Sequence, residues 1–287
     1  YLSAFPIVLF LYLIEPFFLI RLGELPSSRL GHFAINVELY CCEKDAGINT
    51  PSQKHIDIFF LKKVVCNKQL EKMWRRKLII LPRWLMSPIN KVNIFLNKLI
   101  PVKKFNKIGP ENSDRDIYNL LEKFNPHISF TNDEEQKAKN ILKDFGIDVN
   151  HKFVCLLVRD PAYLDRHKNQ TLRDFNYHNY RDADIDKYLL AAEELTKRGY
   201  YVFRMGAKVS KPMKSSNPKI FDYANTNLRS DFMDMYLGAK CTFCISVGGA
   251  GFFGVPFIFR KPNAYVMVPF GYLFTANKYD LMITKNH

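Results

Sequence analysis

Short apolar runs alternate along the chain with stretches of helical length, and that alternation predicts an α/β protein. The first run, residues 2–20, is interrupted by Pro6, Glu15 and Pro16, and residues 17–21 predict a buried first strand. A loop over 23–32 (GELPSSRLGH) leads into the helix-like AINVELYCCEKD. Then come a strand over 55–61 (HIDIFFL), a charged helical segment over 67–77 and a short buried strand over 78–81. Residues 84–124 predict helical pieces broken at Pro88, Pro101 and Pro110. Turn chemistry from Asn125-Pro126-His127 to Asn132 places a domain boundary nearby.

The second half alternates more cleanly. TNDEE supplies an N-cap and first-turn acids for a helix over 133–145, ahead of the strand FVCLLV over 153–158. A long polar loop precedes a helix over 182–198 with Gly199 as its C-cap. Strands over 200–206 and 219–224, a helix over 231–238, the strand CTFCIS, the turn VGGAGFFG and a last strand YVMVPF complete the pattern. Fully apolar strands alternating with helices indicate parallel sheets covered on both faces.

Composition narrows the class. With 47% hydrophobic and 24% charged residues, the chain of 287 residues is too apolar for disorder. It is also longer than one core usually serves. The expected plan is a hydrophobic N-terminal segment 1–16 and two Rossmann-like domains, 17–126 and 127–287, their parallel sheets facing a cleft. Residues 1–14 are either a membrane-associated helix or part of the core; there is no basic n-region and no small-residue cleavage site. The abrupt start at Tyr1 and the stop at Lys285-Asn286-His287 read as a fragment at both ends. Forty-two Lys and Arg against 28 Asp and Glu give a net charge of +14, which calls for an anionic partner. The six cysteines read as reduced, in a cytoplasmic protein. Cys241 and Cys244, if on one strand, point to opposite faces roughly 10 Å apart, beyond disulfide reach.

Ligands of open parallel sheets bind at the carboxyl ends of strands. Reading those positions off gives Arg21, Gly23, Arg29, Gly31 and His32; then Arg159 and Asp160; Gly206 and Lys208 after a strand bearing Arg204; Asp222 and Tyr223; and Ser246, Gly248, Gly249 and Gly251. Cations, hydroxyls and glycines on one sheet edge suit a nucleoside diphosphate. Each also has a plain structural reading: a tight turn for GGxG, a strand-end salt bridge for Arg159-Asp160, solvated surface for Arg21 and Arg29, and a polar cap for His32. Asp182, Asp184 and Asp186 have the spacing of a metal-holding acid pair but open a predicted helix, where they stabilise its dipole. No metal ligands are assigned. Walker, nucleophile-elbow and HExxH motifs are absent, and the basic WRRK has no nucleic-acid motif beside it.

The segments RLGELPSSRLGHFAINVELY, CNKQLEKMWRRKLIILP, CLLVRDPAYL, GYYVFRMG and FDYANTNLRSDFMDMYLGAKCTFCI together resemble a family of bacterial glycosyltransferases of surface-polysaccharide (O-antigen or capsule) gene sets. The strand-V-R-D, strand-R-M-G pattern also resembles the fucosyltransferases of GT-B fold. That likeness implies diphosphate binding by Arg159 and by Ser246, Gly248 and Gly249, and an acid near the nucleoside at Asp231 or Asp234. The chain departs from it at Leu157-Val158, where a histidine is usual, which leaves the donor nucleotide open.

The resulting expectation is a metal-independent GT-B glycosyltransferase with no cofactor. It moves a sugar from a nucleotide-sugar donor to a glycan or lipid-linked acceptor, at the inner face of the cytoplasmic membrane with its anionic lipid. Arg159, Arg204, Lys208, Ser246, Gly248, Gly249 and Gly251 would hold donor phosphate; Gly206, Asp222, Tyr223, Asp231 and Asp234 the nucleoside and sugar; Arg21, Gly23, Arg29 and Gly31 the acceptor. His32 would deprotonate the acceptor hydroxyl, with Asp160 as second choice. A nucleotide-sugar epimerase of the same fold and a non-enzymatic basic membrane module stay open as alternatives.

Overall fold

The computed structural model describes residues 3–99, 115–147, 151–163, 165, 176–273 and 277–285. The chain divides into two compact units, Tyr1–Ile128 and Ser129–His287. Pro101 and Pro110 lie outside the described residues.

Unit 1 is built on a parallel sheet, β1 (Leu19–Leu25), β2 (His55–Leu61) and β3 (Ile79–Ile80), in that order. Strand alternation sends Ile20, Leu22, Ile58 and Phe60 to one face. There α1 (Ala4–Ile14) and α4 (Arg83–Leu99) bury Ala4, Val8, Met86, Ile89 and Val92 against them. The opposite face carries Phe59, whose ring meets Tyr40 of α2 (Leu30–Asp45) edge-on at 5.0 Å. Trp74 of α3 (Lys68–Arg75) is fully buried and donates its indole N–H to the Phe33 carbonyl at 3.1 Å, locking α3 to α2. A short helix, α5 (Leu120–Lys123), completes the unit.

Two expectations change here. Pro88 does not break α4: it sits inside the helix, and Met86, Ile89 and Val92 pack on both sides of it. That burial outweighs the one backbone bond a proline removes. The first strand starts at Leu19 and runs on to Leu25, so Arg21 and Gly23 are mid-strand rather than at its carboxyl end.

Unit 2 carries a six-stranded parallel sheet in the order β6-β5-β4-β7-β8-β9. Its strands are β4 (Phe153–Val158), β5 (Tyr201–Met205), β6 (Ile220–Phe221), β7 (Phe243–Val247), β8 (Asn263–Val268) and β9 (Leu281–Thr284). α6 (Asn132–Asp144) opens with a complete capping box, Thr131 accepting from the Glu134 N–H while Glu134 accepts from the Thr131 N–H. α6 and α8 (Asp231–Lys240) cover one face through Ala138, Leu142, Met233 and Leu237. α7 (Leu189–Lys197) covers the other through Ala192, against Leu156, Val158 and Val202. A short α9 (Gly254–Ile258) precedes β8.

The helix expected over 182–198 is shortened to α7. Asp184 accepts from the Asp186 N–H and caps a 3-10 turn, Ile185–Tyr188, which runs directly into α7. Cys241 caps α8 instead of lying in the strand, so strand alternation does not separate it from Cys244. Both are free thiols, buried in one core with Cys155. β9 is an unforeseen edge strand: its run Leu281-Met282-Ile283 is apolar but short, and its residues are largely exposed.

Candidate functional site at the β4–β7 switch point

The order of the second sheet reverses at β4: β5 and β6 extend to one side, β7 to the other. Loops leaving two such neighbours diverge and open a crevice at their carboxyl ends. Val158 and Val247 are register partners at the ends of β4 and β7, so Arg159 and Gly248 emerge side by side. The Arg159 N–H still donates to the Val247 carbonyl, and the Gly248 N–H to the Val266 carbonyl, at 3.3 and 3.0 Å.

Glycine is required at 248 for two reasons. Its φ of +70° is left-handed, and a Cβ there would strike the Arg181 carbonyl and come within 3.2 Å of Arg159 Cβ. Gly249 follows with φ +67°, its open side toward the Tyr272 ring and Leu273.

Two arginines flank this turn. Arg181 ends the 3-10 turn Asn176–Arg181 and donates from Nη1 to the Gly248 and Gly249 carbonyls at 3.3 and 3.2 Å. Its Cζ stacks 4.3 Å from the centre of the Tyr272 ring. Arg159 is only 5% exposed. Its terminal nitrogens make no hydrogen bond among the described residues, although Nη1 is in ion-pair contact with Asp182. Burial, and then the neighbouring charge of Arg181, pull the Arg159 guanidinium down to about 10, so it is still a cation at neutral pH. Two buried cations lie side by side here, with the carboxylates of Asp182 and Asp160 acting on Arg159, and their mutual repulsion is costly to bury. A bound anion would offset it, and the flat guanidinium fork is the donor that fits phosphate.

The other residues singled out from sequence fall into three groups. Lys208 is exposed on a loop of this unit and Gly251 is exposed at the start of the 3-10 turn Gly251–Phe253, while Gly206 is tightly enclosed, a Cβ there meeting Val209 at 2.5 Å. A second group is consumed by the fold. Arg204 is buried and donates to Asp222 at 2.9 Å and to the Lys211 carbonyl at 3.3 Å, so it does not reach a donor phosphate. Asp222 also accepts from the Met213 N–H and from Asn225, which ties it to loop structure rather than to a nucleoside. Asp160 accepts backbone N–H groups from Ala162 and Ser210, both at its carboxylate, and is a turn anchor rather than a base. Tyr223 and Asp234 are buried together, the phenol donating to the carboxylate at 2.7 Å while Arg229 donates at 2.9 Å; Asp231 lies at the start of α8, beside Arg229. Ser246 lies within β7, paired with Tyr265, and is fully buried rather than part of the turn.

The third group belongs to unit 1. Arg21 is not on an acceptor surface: it is locked to Asp57, its register partner on β2, by bonds of 2.6 and 2.7 Å. Gly23 pairs with Phe59 inside the same sheet. Arg29 is the exposed N-cap of α2, with Gly31 and the half-buried His32 in the first turn. The acids that suggested a metal pair are separately neutralised, Asp184 and Asp186 by Lys211 and Asp182 by Arg159. Among the described residues, one cluster of metal-ligating groups does exist, Glu38, Cys42 and His127 in unit 1.

Arg181 and Tyr272 escaped the sequence reading, and Asp182 was read as a helix-opening acid rather than as the partner of Arg159. None follows a strand directly, and the rule that finds ligand residues at strand ends has no purchase on them. A hollow of about 400 Å³ lined by Glu135, Lys139, His151, Lys152, Tyr236 and Lys240 lies at the amino end of β4, the edge opposite the switch point.

Neither a family model nor a curated protein matches the sequence. The fold does match solved structures. The Escherichia coli ADP-heptose LPS heptosyltransferase II aligns over 92% of this chain and 90% of its own, with a TM-score of 0.51 at 12% identity. A glycosyl transferase of family 9 from Veillonella parvula aligns over 92% of this chain and 85% of its own, with a TM-score of 0.53 at 11% identity. The architecture is therefore that of the GT-B glycosyltransferases, two Rossmann-like domains with parallel sheets. The fucosyltransferase likeness is not borne out, because these neighbours are of the heptosyltransferase kind. Arginines at the ends of two parallel strands are too general a feature to separate such groups.

Proposed function

We propose that this chain is a glycosyltransferase of lipopolysaccharide or related surface-polysaccharide assembly, taking its sugar from a nucleotide-sugar donor. The observation that carries the reading is the buried Arg159, its guanidinium in the field of Arg181 and its Cβ against Gly248, at the switch point of the second sheet. The donor diphosphate would lie on this turn. As the glycosidic bond to the donor breaks, charge develops on the departing diphosphate, and prepositioned cations stabilise it without reorganisation. In this reading no metal is needed, and transfer persists in a strong chelator. Asp160 is occupied by backbone donors, so the acceptor proton is assigned to His32 in the first turn of α2. The E. coli neighbour acts with ADP-heptose by name, which makes ADP the first nucleotide to try.

The test is a thermal-shift series with ADP, GDP, UDP and CMP. A ligand bound only by the native state raises the melting temperature, by about 2.7 kcal/mol of stability at a hundredfold excess over Kd. One diphosphate should shift the wild type and fail to shift Arg159→Ala. No shift with any of them, or equal shifts in both proteins, overturns the assignment.

Peripheral membrane attachment, on the cytoplasmic side where lipid-linked acceptors are assembled, belongs to the same reading. Among the described residues no helix is long and apolar enough to cross a membrane. Yet α1 and α4 pack together and leave apolar side chains in solvent, with Leu13 74% and Trp84 76% exposed. Exposed apolar surface on a chain of charge +14 suits an anionic bilayer. Sedimentation with anionic but not zwitterionic vesicles, weakened by Leu13→Glu, is the expected result.

A further inference from the structure

Unit 1 contains a cluster for which sugar transfer has no use. Glu38 and Cys42 stand one turn apart on α2, so their side chains share a face, and both are fully buried. The segment that ends the unit brings His127 against them. His127 Nδ1 is 3.1 Å from Glu38 Oε1 and 4.0 Å from Cys42 Sγ, and that sulfur is 4.0 Å from the same carboxylate oxygen. The other ring nitrogen, Nε2, is 2.9 Å from Asp45 Oδ2.

A thiolate, an imidazole nitrogen and a carboxylate oxygen are the donor types of protein zinc sites. With ordinary zinc–ligand bonds, a tetrahedral ion separates N from O by about 3.3 Å and S from N by about 3.6 Å. The three atoms here already stand within about 0.5 Å of those spacings. Asp45 completes the pattern. A ligating histidine characteristically donates its second N–H to a carboxylate, which fixes the tautomer and aims the first nitrogen at the metal.

We propose that Glu38, Cys42 and His127 bind one divalent transition-metal ion of the zinc class, with Asp45 positioning the imidazole and water in the fourth place. On uptake the ion forms bonds to Sγ, Nδ1 and Oε1. The thiol proton of Cys42 and any proton on Nδ1 leave to solvent, and no electrons are exchanged. The ion fastens the segment carrying His127 to α2, a structural role independent of the proposed transfer reaction. A metal-free network, with His127 paired to Glu38 and Asp45 and the Cys42 thiol donating to Glu38, accounts for the same contacts, and the metal differs from it in making the sulfur a thiolate ligand, so Cys42 decides between them.

Cobalt reports on that sulfur directly. The metal-free protein, confirmed folded by circular dichroism, is titrated with Co²⁺ and read for thiolate-to-cobalt charge transfer in the near ultraviolet. The wild type and Cys66→Ser should both develop the band at one ion per chain, and Zn²⁺ should bleach it. Cys42→Ser should abolish it, and Asp45→Asn should weaken cobalt binding about 10–100-fold. Should Cys42→Ser fail to fold, Asp45→Asn still decides, since that carboxylate is half exposed. No band in the folded wild type, a band that survives Cys42→Ser, or unchanged affinity in Asp45→Asn overturns the proposal.

Discussion

Arg21 and Arg159 are both buried arginines associated with a parallel sheet, one in each unit, and the fold treats them in opposite ways. Arg21 sits mid-strand, so its side chain lies along the neighbouring strand and meets its register partner Asp57. Nε and Nη2 bond both carboxylate oxygens, Nη1 donates to the Asn49 carbonyl, and the Tyr40 hydroxyl adds a further donor to Asp57. Arg159 comes one residue after its strand ends, at a reversal of strand order; among the described residues its terminal nitrogens have the ion-pair contact with Asp182 but no hydrogen bond, and Arg181 crowds it with like charge. One guanidinium is closed on its own fold. The other is the one we propose to meet a partner from outside.

The comparison is most easily broken by removing the counter-charge in unit 1. Asp57→Ala leaves Arg21 buried without its carboxylate, and stripping one member from a buried pair costs about 3–5 kcal/mol. Urea unfolding should show that loss. A cost near zero would mean Arg21 finds water, and the contrast with Arg159 would vanish. Next in size is Arg159→Ala, which should lower turnover about 10²–10³-fold, the usual cost of removing one group that stabilises transition-state charge. Its stability should hold or rise, since a repulsion with Arg181 is relieved. Loss of folding together with retained turnover would reverse the assignments of the two arginines. Gly248→Ala should impair nucleotide binding as well, because the added methyl meets the Arg181 carbonyl and the backbone is left-handed. The thermal shift of the variant with the nucleotide that binds wild type checks this, and an undiminished shift would detach the turn from the site.

These two regions also show what a sequence makes legible. The parallel sheets were readable because their strands are continuous apolar runs: the predicted strands over 55–61 and 153–158 coincide with β2 and β4. The pairing of Arg159 with the Gly248–Gly249 turn was readable for the same reason, since both follow such runs directly. Arg21 was misjudged through an error of strand extent. Leu25 ends β1, and a glycine and a glutamate before it, Gly23 and Glu24, break the apolar run that marks strands elsewhere. Arg204, Tyr223 and Asp234 were misjudged because burial partners such as Asp222 and Arg229 are brought to them by loops, and no local pattern announces which charge a loop will neutralise. Arg181 has no strand to mark it at all, and the His127 cluster joins residues 85 apart in the chain.

The finest test of the contrast uses carboxylates, and it has the smallest expected effect. Burial works against ionisation of Asp57, but hydrogen bonds from Arg21 and Tyr40 and the charges of Arg21 and Lys44 more than offset it, holding the group below the ordinary carboxylate range. Its contribution to stability is therefore present above 3.8 and is lost as pH falls through the lowered value. Asp234 runs the other way. Burial dominates the opposing charge and hydrogen bond of Arg229 and the hydrogen bond of Tyr223, and raises it to about 6. A raised acid favours the fold while protonated, so this contribution is complete below 3.8 and disappears as pH rises through about 6. Subtracting the stability profile of Asp234→Asn from that of the wild type isolates the second group. The difference should decline with rising pH between those two values and be flat above them. A difference that climbs instead would mean that Arg229 outweighs desolvation. Asp234 would then be a closed pair like Asp57, leaving Arg159 as the one buried charge among these three sites whose partners do not satisfy it.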